Sequence, residues 1–313
     1  MSDARDETAD TVTTSAGSEA VAGAAGTWRL GDLTVNRMGF GAMRLTAAAD
    51  GGPSDRARVI EVLRRAVELG VDHIDTASFY FSPLRSANEL INTALGGPYP
   101  EGLVITTKVG PGKNASGEWT PAARPDQLRG QVEENLRQLG RDHLDVVNLR
   151  VHGPDALAER FGVLAELRAA GLIRHLGVSN VRPHQLTEAL TIAPVVCVQN
   201  RYSLGDRLDD ELLAECGRRG IAFVPFFAIV GTAGPGGTGP AAMGPAAEDV
   251  IAEVARAHDA TPAQIRLAWT LHRGPHVLAI PGTGDPAHLT ENVAAAAIPL
   301  TPEDRTKLDA LGG

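Results

Sequence analysis

Eight short apolar runs rich in Val and Ile recur along the chain, with helical segments between them. They are MGFGAM (38–43), VDHID (71–75), LVITTK (103–108), LDVVNL (144–149), IRHLGVS (173–179), VVCVQ (195–199), IAFVPF (221–226) and VLAI (277–280). The intervening segments, such as ARVIEVLRRAVELG (57–70), PDQLRGQVEENLRQLG (125–140) and LAERFGVLAELRAAG (157–171), space apolar residues at i, i+3 and i+4, as one face of a helix requires. Gly70, Gly140, Gly171 and Gly220 stand where helix C-termini favour glycine. Strands alternating with helices make a parallel sheet, and eight such units close into a barrel of about 250 residues. The pattern predicts an α/β fold, a (β/α)8 TIM barrel. A β-hairpin, WRLGDLTVNR (28–37), would plug one end, and an extra helix would end the chain. A doubly wound sheet is the competing architecture. It wants a Gly-rich phosphate turn after the first strand, and GFGAMRL (39–45) lacks the third glycine and the helix opening.

Residues 1–26 depart from this pattern. They hold five acids, one base and no aromatic, too little apolar area to offset ordering, so a disordered tail is expected ahead of one barrel domain at 27–313. The net charge of −9, from 29 Lys and Arg against 38 Asp and Glu, leaves no surplus to neutralise phosphates, and no nucleic-acid partner is expected. No run approaches 18 apolar residues, and the N-terminus has no basic region followed by an apolar one. Neither a membrane span nor a signal peptide is therefore expected. Cys197 and Cys216 match no CxxC or zinc spacing, which fits a reducing cytoplasm.

In such a barrel, chemistry sits where strands run into the following loops. Asp75 ends the second run, with Tyr80 beyond it in DTASFY; Lys108 ends the third, in ITTKVG; Arg150 and His152 follow the fourth, in NLRVHGP. A phenol is a reluctant proton donor at neutral pH. A neighbouring ammonium stabilises the phenolate left behind, and a carboxylate holds that ammonium in place. Together they form a general acid suited to protonating a carbonyl oxygen while a hydride arrives at carbon. Each residue alone reads better as a structural ion pair or a loop anchor. The DxxxxY spacing with a Lys on the next strand is what points to chemistry.

HIDTASFY, ITTKVG, LIRHLGVSN, VCVQNRY and AIPGTGDPAHLTEN occur in the order and at the approximate spacings of the aldo-keto reductase superfamily, which the chain resembles over about residues 27–313. DVVNLR, IRHLGVSNV, APVVCVQN, IAFVPFF and IPGT followed by HLTEN are similar to its pyridoxal reductase branch. The resemblance implies NADPH as cofactor, with NADH as the alternative. It also implies a small-molecule carbonyl substrate, pyridoxal among them, and a monomer or weak homo-oligomer. Asp75, Tyr80 and Lys108 match three members of the family's Asp, Tyr, Lys and His tetrad. Arg150 stands at the His position, and His152 lies two residues on; alternate residues share a strand face, so both are candidates.

For the cofactor, the resemblance implies Gly41, Met43, Ser179, Asn180, Gln199 and Phe226, with Tyr202 stacked on the nicotinamide and Gly231 in a lid (230–246) over the pyrophosphate. Ser179 and Asn180 also suit a helix cap. Gly282, Thr283, His288, Glu291 and Asn292 of the last unit would hold the adenosine end. Many relatives carry Lys and Arg there for the 2'-phosphate. Gly282 and His288 in their place leave Thr283 and the amides of a helix start as phosphate ligands, and predict a weakened preference for NADPH over NADH. Phe79, Phe81, Trp119 and Phe227 would wall the substrate. Two other functions stay open: a tailoring reductase for a secondary metabolite, suggested by Phe81 and the short NLRVHGP loop, and a low-turnover redox sensor, suggested by Arg150.

Overall fold

A computed structural model describes residues 21–47, 52, 54–113, 119–120, 122–229 and 243–312. Seven of the eight apolar runs form strands: β1 (Phe40–Gly41), β2 (His73–Asp75), β3 (Val104–Val109), β4 (Leu144–Arg150), β5 (Ile173–Ser179), β6 (Val195–Gln199) and β7 (Ala222–Phe223). They pair in parallel in chain order from β1 to β7. The eighth run closes the ring through single bridges, Phe223 with Val277 and Met38 with Ala279. Leu278 N donates to Phe223 O at 2.9 Å and Gly39 N to Ala279 O at 2.8 Å across these two seams. Glycine is required where the last seam tightens. A Cβ on Gly41 would lie 2.6 Å from Ile280 O, and one on Gly282 would lie 2.3 Å from Gly41 O.

Helices fill the intervals: α1 (Arg56–Glu68), α2 (Ala87–Leu95), α3 (Pro125–Leu139), α4 (Ala158–Ala169), α5 (Pro183–Ile192) and α6 (Asp210–Arg219). Two helices, α7 (Pro245–Ala257) and α8 (Pro262–His272), precede the closing segment; α9 (Pro286–Ala294) and the expected extra helix, α10 (Pro302–Asp309), follow it. Their ends are set as the sequence suggests. Asp55 accepts from Ala57 N and Arg58 N to start α1, and Gly140 and Gly220 end α3 and α6 in the left-handed conformation.

Alternate residues along each strand point into the barrel. At one end Val104, Val146, Ala222, Val224 and Leu278 pack with Leu30 and Val35 of the hairpin (Thr27–Leu30 against Leu33–Asn36). This layer is separate from the larger apolar cluster between strands and helices. Two residues further along the strands the lining is polar: His73 Nε2 meets Thr106 Oγ1 at 3.0 Å, and Asn148 Oδ1 accepts from Cys197 Sγ at 3.1 Å. Two residues further still, Asp75, Lys108, Arg150 and Gln199 stand at the mouth.

Ordered structure begins before the expected boundary at residue 26. Val21–Ala25 forms a 3-10 turn in which Ala22 is fully buried and its amide donates to Leu69 O at 3.0 Å. The rest of the expected tail, residues 1–20, lies outside the described residues. Cys197 and Cys216 are both free and buried, and burial pushes each thiol up to about 12. Among the described residues no helix is long and apolar enough to cross a membrane.

Candidate active site

The DTASFY loop leaves β2 and stays tied to β3: Thr76 N donates to Thr106 O at 2.8 Å and Ser78 N to Lys108 O at 2.9 Å. This folds Tyr80 back over Lys108, whose Nζ lies 4.7 Å from the phenol ring centroid. Lys108 Nζ donates to Asp75 Oδ1 at 2.6 Å and to Thr76 O at 2.8 Å, with both charged side chains only 3% exposed. Burial alone would lower the Lys108 ammonium; the Asp75 carboxylate, reinforced by Tyr80, overrides it and holds the group above its ordinary value. The second Asp75 oxygen accepts from Gln199 Nε2 at 2.7 Å. Gln199 Oε1 is buried with no partner among the described residues. Asp75, Tyr80, Lys108 and Gln199 all face one cleft of about 1780 Å³.

Arg150 and His152 both line this cleft, at different depths. Arg150 is half-buried, its guanidinium 4.8 Å from the Phe226 ring centroid and donating to Ser179 Oγ at 3.2 Å. His152 is exposed at the rim, where partial burial and the charges of Arg150 and Arg160 lower its imidazole below the ordinary value. The deeper position belongs to Arg150.

The cleft also gathers Gly41, Met43, Asn180, Phe226, Gly282, Thr283, His288, Glu291 and Asn292, with Phe79 and Phe227 as aromatic wall. Several expected members are elsewhere. Ser179 is fully buried with its hydroxyl turned to Arg150, off the cleft wall. Tyr202 is also fully buried, parallel to Trp269 at 5.8 Å, with its hydroxyl on Asp210; it does not reach the cleft. Tyr202 lies beyond the end of β6 at Gln199, and its ring packs on Phe223 and Trp269 in the apolar cluster between strands and helices. Phe81 lies in a small hairpin (Phe81–Ser82 with Arg85–Ser86), 43% exposed and outside the lining. Trp119 pairs by backbone with Lys113, and its neighbour Thr120 lines the cleft. The side chain of Trp119 and all of Gly231 lie outside the described residues.

The adenosine end expected for the last unit also differs. The Asp285 carboxylate accepts from Ala287 N at 2.8 Å and His288 N at 3.2 Å, so the helix-start amides assigned to a phosphate are already occupied. A cation that motif reading missed lies on α8, which packs on α9: Arg266 is 7% exposed, lines the cleft, and donates to both Glu248 oxygens at 2.7 and 2.6 Å. The available signal was a lone Arg inside the apolar run IRLAW. Arg44, Arg201 and Thr261–Ala263 are further lining residues that the sequence did not single out.

A buried Asp and Lys pair thus lies under a Tyr at the C-terminal end of the barrel strands. The pattern of the Aldo/keto reductase family matches residues 37–312, and the chain belongs to that family. Pyridoxine 4-dehydrogenase of Escherichia coli (strain K12) is 43% identical over 293 residues, covering 91% of this chain and 98% of the relative. Among solved structures, the thermostable aldo-keto reductase Tm1743 in complex with the inhibitor epalrestat has a TM-score of 0.76 and 31% identity, covering 91% of this chain and 99% of its own. An aldo/keto reductase from Klebsiella pneumoniae in complex with NADP and acetate has a TM-score of 0.71 and 28% identity, with 89% and 92% covered.

Proposed function

We propose that this chain is an NADPH-dependent carbonyl reductase, with NADH as the alternative cofactor, and that its substrate is pyridoxal, reduced to pyridoxine. The observation that carries the reading is the buried Asp75–Lys108 pair beneath Tyr80 at the mouth of the cleft. The hydride comes from the reduced nicotinamide when that is bound. Tyr80 donates the proton to the carbonyl oxygen, and the Lys108 cation stabilises the phenolate that remains. Asp75 keeps that cation charged and in place. Gln199 Oε1, buried and unpartnered, fits the amide donor of a nicotinamide carboxamide, and Asn180 lines the same cleft. Arg150 orients the carbonyl from the tetrad's fourth position. Phe79, Phe226 and Phe227 provide flat apolar walls that suit a planar ring. The E. coli relative's name supports pyridoxine and pyridoxal as the couple, and the NADP held in the K. pneumoniae structure supports the cofactor.

We place the reaction in the cytoplasm, on one barrel acting as a monomer or weak homo-oligomer; the two free cysteines support a reducing setting. The deciding variant is Tyr80→Phe. It should bind NADPH as tightly as the parent in a fluorescence titration while pyridoxal turnover falls by about 10²- to 10⁴-fold, the usual worth of a positioned general acid. NADPH oxidation undiminished in that variant would overturn the assignment.

A further inference from the structure

Five Lys and Arg side chains line the cleft, and four of them either pair with a carboxylate or lie open to solvent. Lys108 has Asp75 at 2.6 Å, Arg201 has Asp206 at 2.9 Å, Arg266 has Glu248 at 2.6 Å, and Arg44 is exposed to solvent. Arg150 differs. It is half-buried, and among the described residues its partners are uncharged: the Ser179 hydroxyl at 3.2 Å and the Phe226 ring at 4.8 Å. Burial disfavours its charged form, Tyr80 favours it and the nearby Arg201 disfavours it further, with a net lowering from the ordinary value. A guanidinium offers five N–H donors in a planar fork that matches a carboxylate or phenolate. One of them reaches Ser179; a neutral carbonyl oxygen needs only one more. Tyr80 and the Phe226 ring line the same cleft as this fork.

We propose that Arg150 binds an ionised oxygen carried by the substrate next to its carbonyl, so that the preferred substrates are aromatic aldehydes with an ortho carboxylate or phenolate. The inference rests on the carbonyl-reductase reading and narrows it. Pyridoxal belongs to this class through the phenolic oxygen ortho to its aldehyde, and the Phe226 ring, 4.8 Å from the guanidinium, supports the cation beside a bound aromatic ring.

The test compares 2-formylbenzoate with its methyl ester and with 4-formylbenzoate, in the holoenzyme and in the Arg150→Met and Arg150→Lys variants. The parent should favour 2-formylbenzoate over both by about tenfold or more in kcat/KM, as a charge-assisted contact made near the reacting carbon implies. Arg150→Met should collapse that ratio to about one, whatever loss is common to all three aldehydes, and Arg150→Lys should keep part of it. A ratio near one in the parent, or an equal loss on acid and ester in Arg150→Met, would overturn the inference and leave Arg150 as a carbonyl orienter only. If no aldehyde is reduced, the carbonyl-reductase reading fails by itself. Calorimetry of salicylate against methyl salicylate, with and without NADP, then decides the anion site. Salicylate affinity about tenfold weaker in Arg150→Met supports it, and unchanged affinity overturns it.

Discussion

At the hairpin end of the barrel, Val104 and Val146 meet Leu30 and Val35 in an apolar layer; four residues further along the same two strands, Lys108 and Arg150 stand at the mouth. The backbone is the same ladder at both ends, and only the side chains change. Apolar burial at the base stabilises the fold by about 25 cal/mol per Å² removed from water. At the mouth, Asp75 and Lys108 are stripped of water, which disfavours folding unless their mutual attraction and hydrogen bonds compensate. The base therefore contributes apolar burial, while the mouth holds a buried ion pair that adds little to stability.

Three measurements would break or sharpen that contrast. The largest effect belongs to Lys108→Met. It removes the cation under Tyr80 and strands the buried Asp75 carboxylate, so carbonyl turnover should fall by about 10³-fold and urea stability by about 3–5 kcal/mol. Next comes Leu30→Ala at the base, expected to lose about 2–5 kcal/mol in urea unfolding while kcat below the transition stays within about twofold. If Leu30→Ala slowed turnover as much as Lys108→Met, the two ends would not be separable.

The smallest effect comes from His73, in the layer between. Burial pushes its imidazole down from 6.5 to about 4, against the Asp75 charge, which raises it, while the Lys108 charge also lowers it. Below 6.5 the unfolded chain takes up a proton that the folded chain refuses until about pH 4. Stability from neutral His73 is thus complete above 6.5 and is lost as pH falls toward 4, by up to about 1.4 kcal/mol per pH unit. Unfolding at pH 7.5 and pH 5 should differ by about 2 kcal/mol from this group. The part due to His73 should vanish in His73→Gln; an unchanged pH slope in that variant would place the titrating group elsewhere.

The barrel and the meeting of Asp75, Tyr80 and Lys108 were legible because both depend on local rules. Period-two alternation puts Val104, Thr106 and Lys108 on one face, so a lysine at a strand end above an apolar base is readable as a mouth residue. Asp75 ends β2 with Tyr80 in the loop just after it, and Lys108 follows on the adjacent strand, so their meeting needs only the strand order. Arg150 could be placed at the mouth by the same reasoning. That it would stand there without a carboxylate could not, since its neighbours Ser179 and Phe226 arrive from β5 and from beyond β7.

The misplacements share one cause. The motif around Tyr202 suggests a cofactor platform, yet the ring's place depends on the layer it packs into, and its partner Trp269 lies 67 residues away. The helix-start amides at 287–288 were read as open donors, and Asp285 already holds them. Arg266 gave only the faint sign of a charge in an apolar helix, and its place in the cleft came from how α8 packs on α9. Periodicity specifies the face a side chain takes on its own element. Which partner a polar group finds across the space between elements depends on distances set by the packed barrel, and there the tertiary structure alone decided.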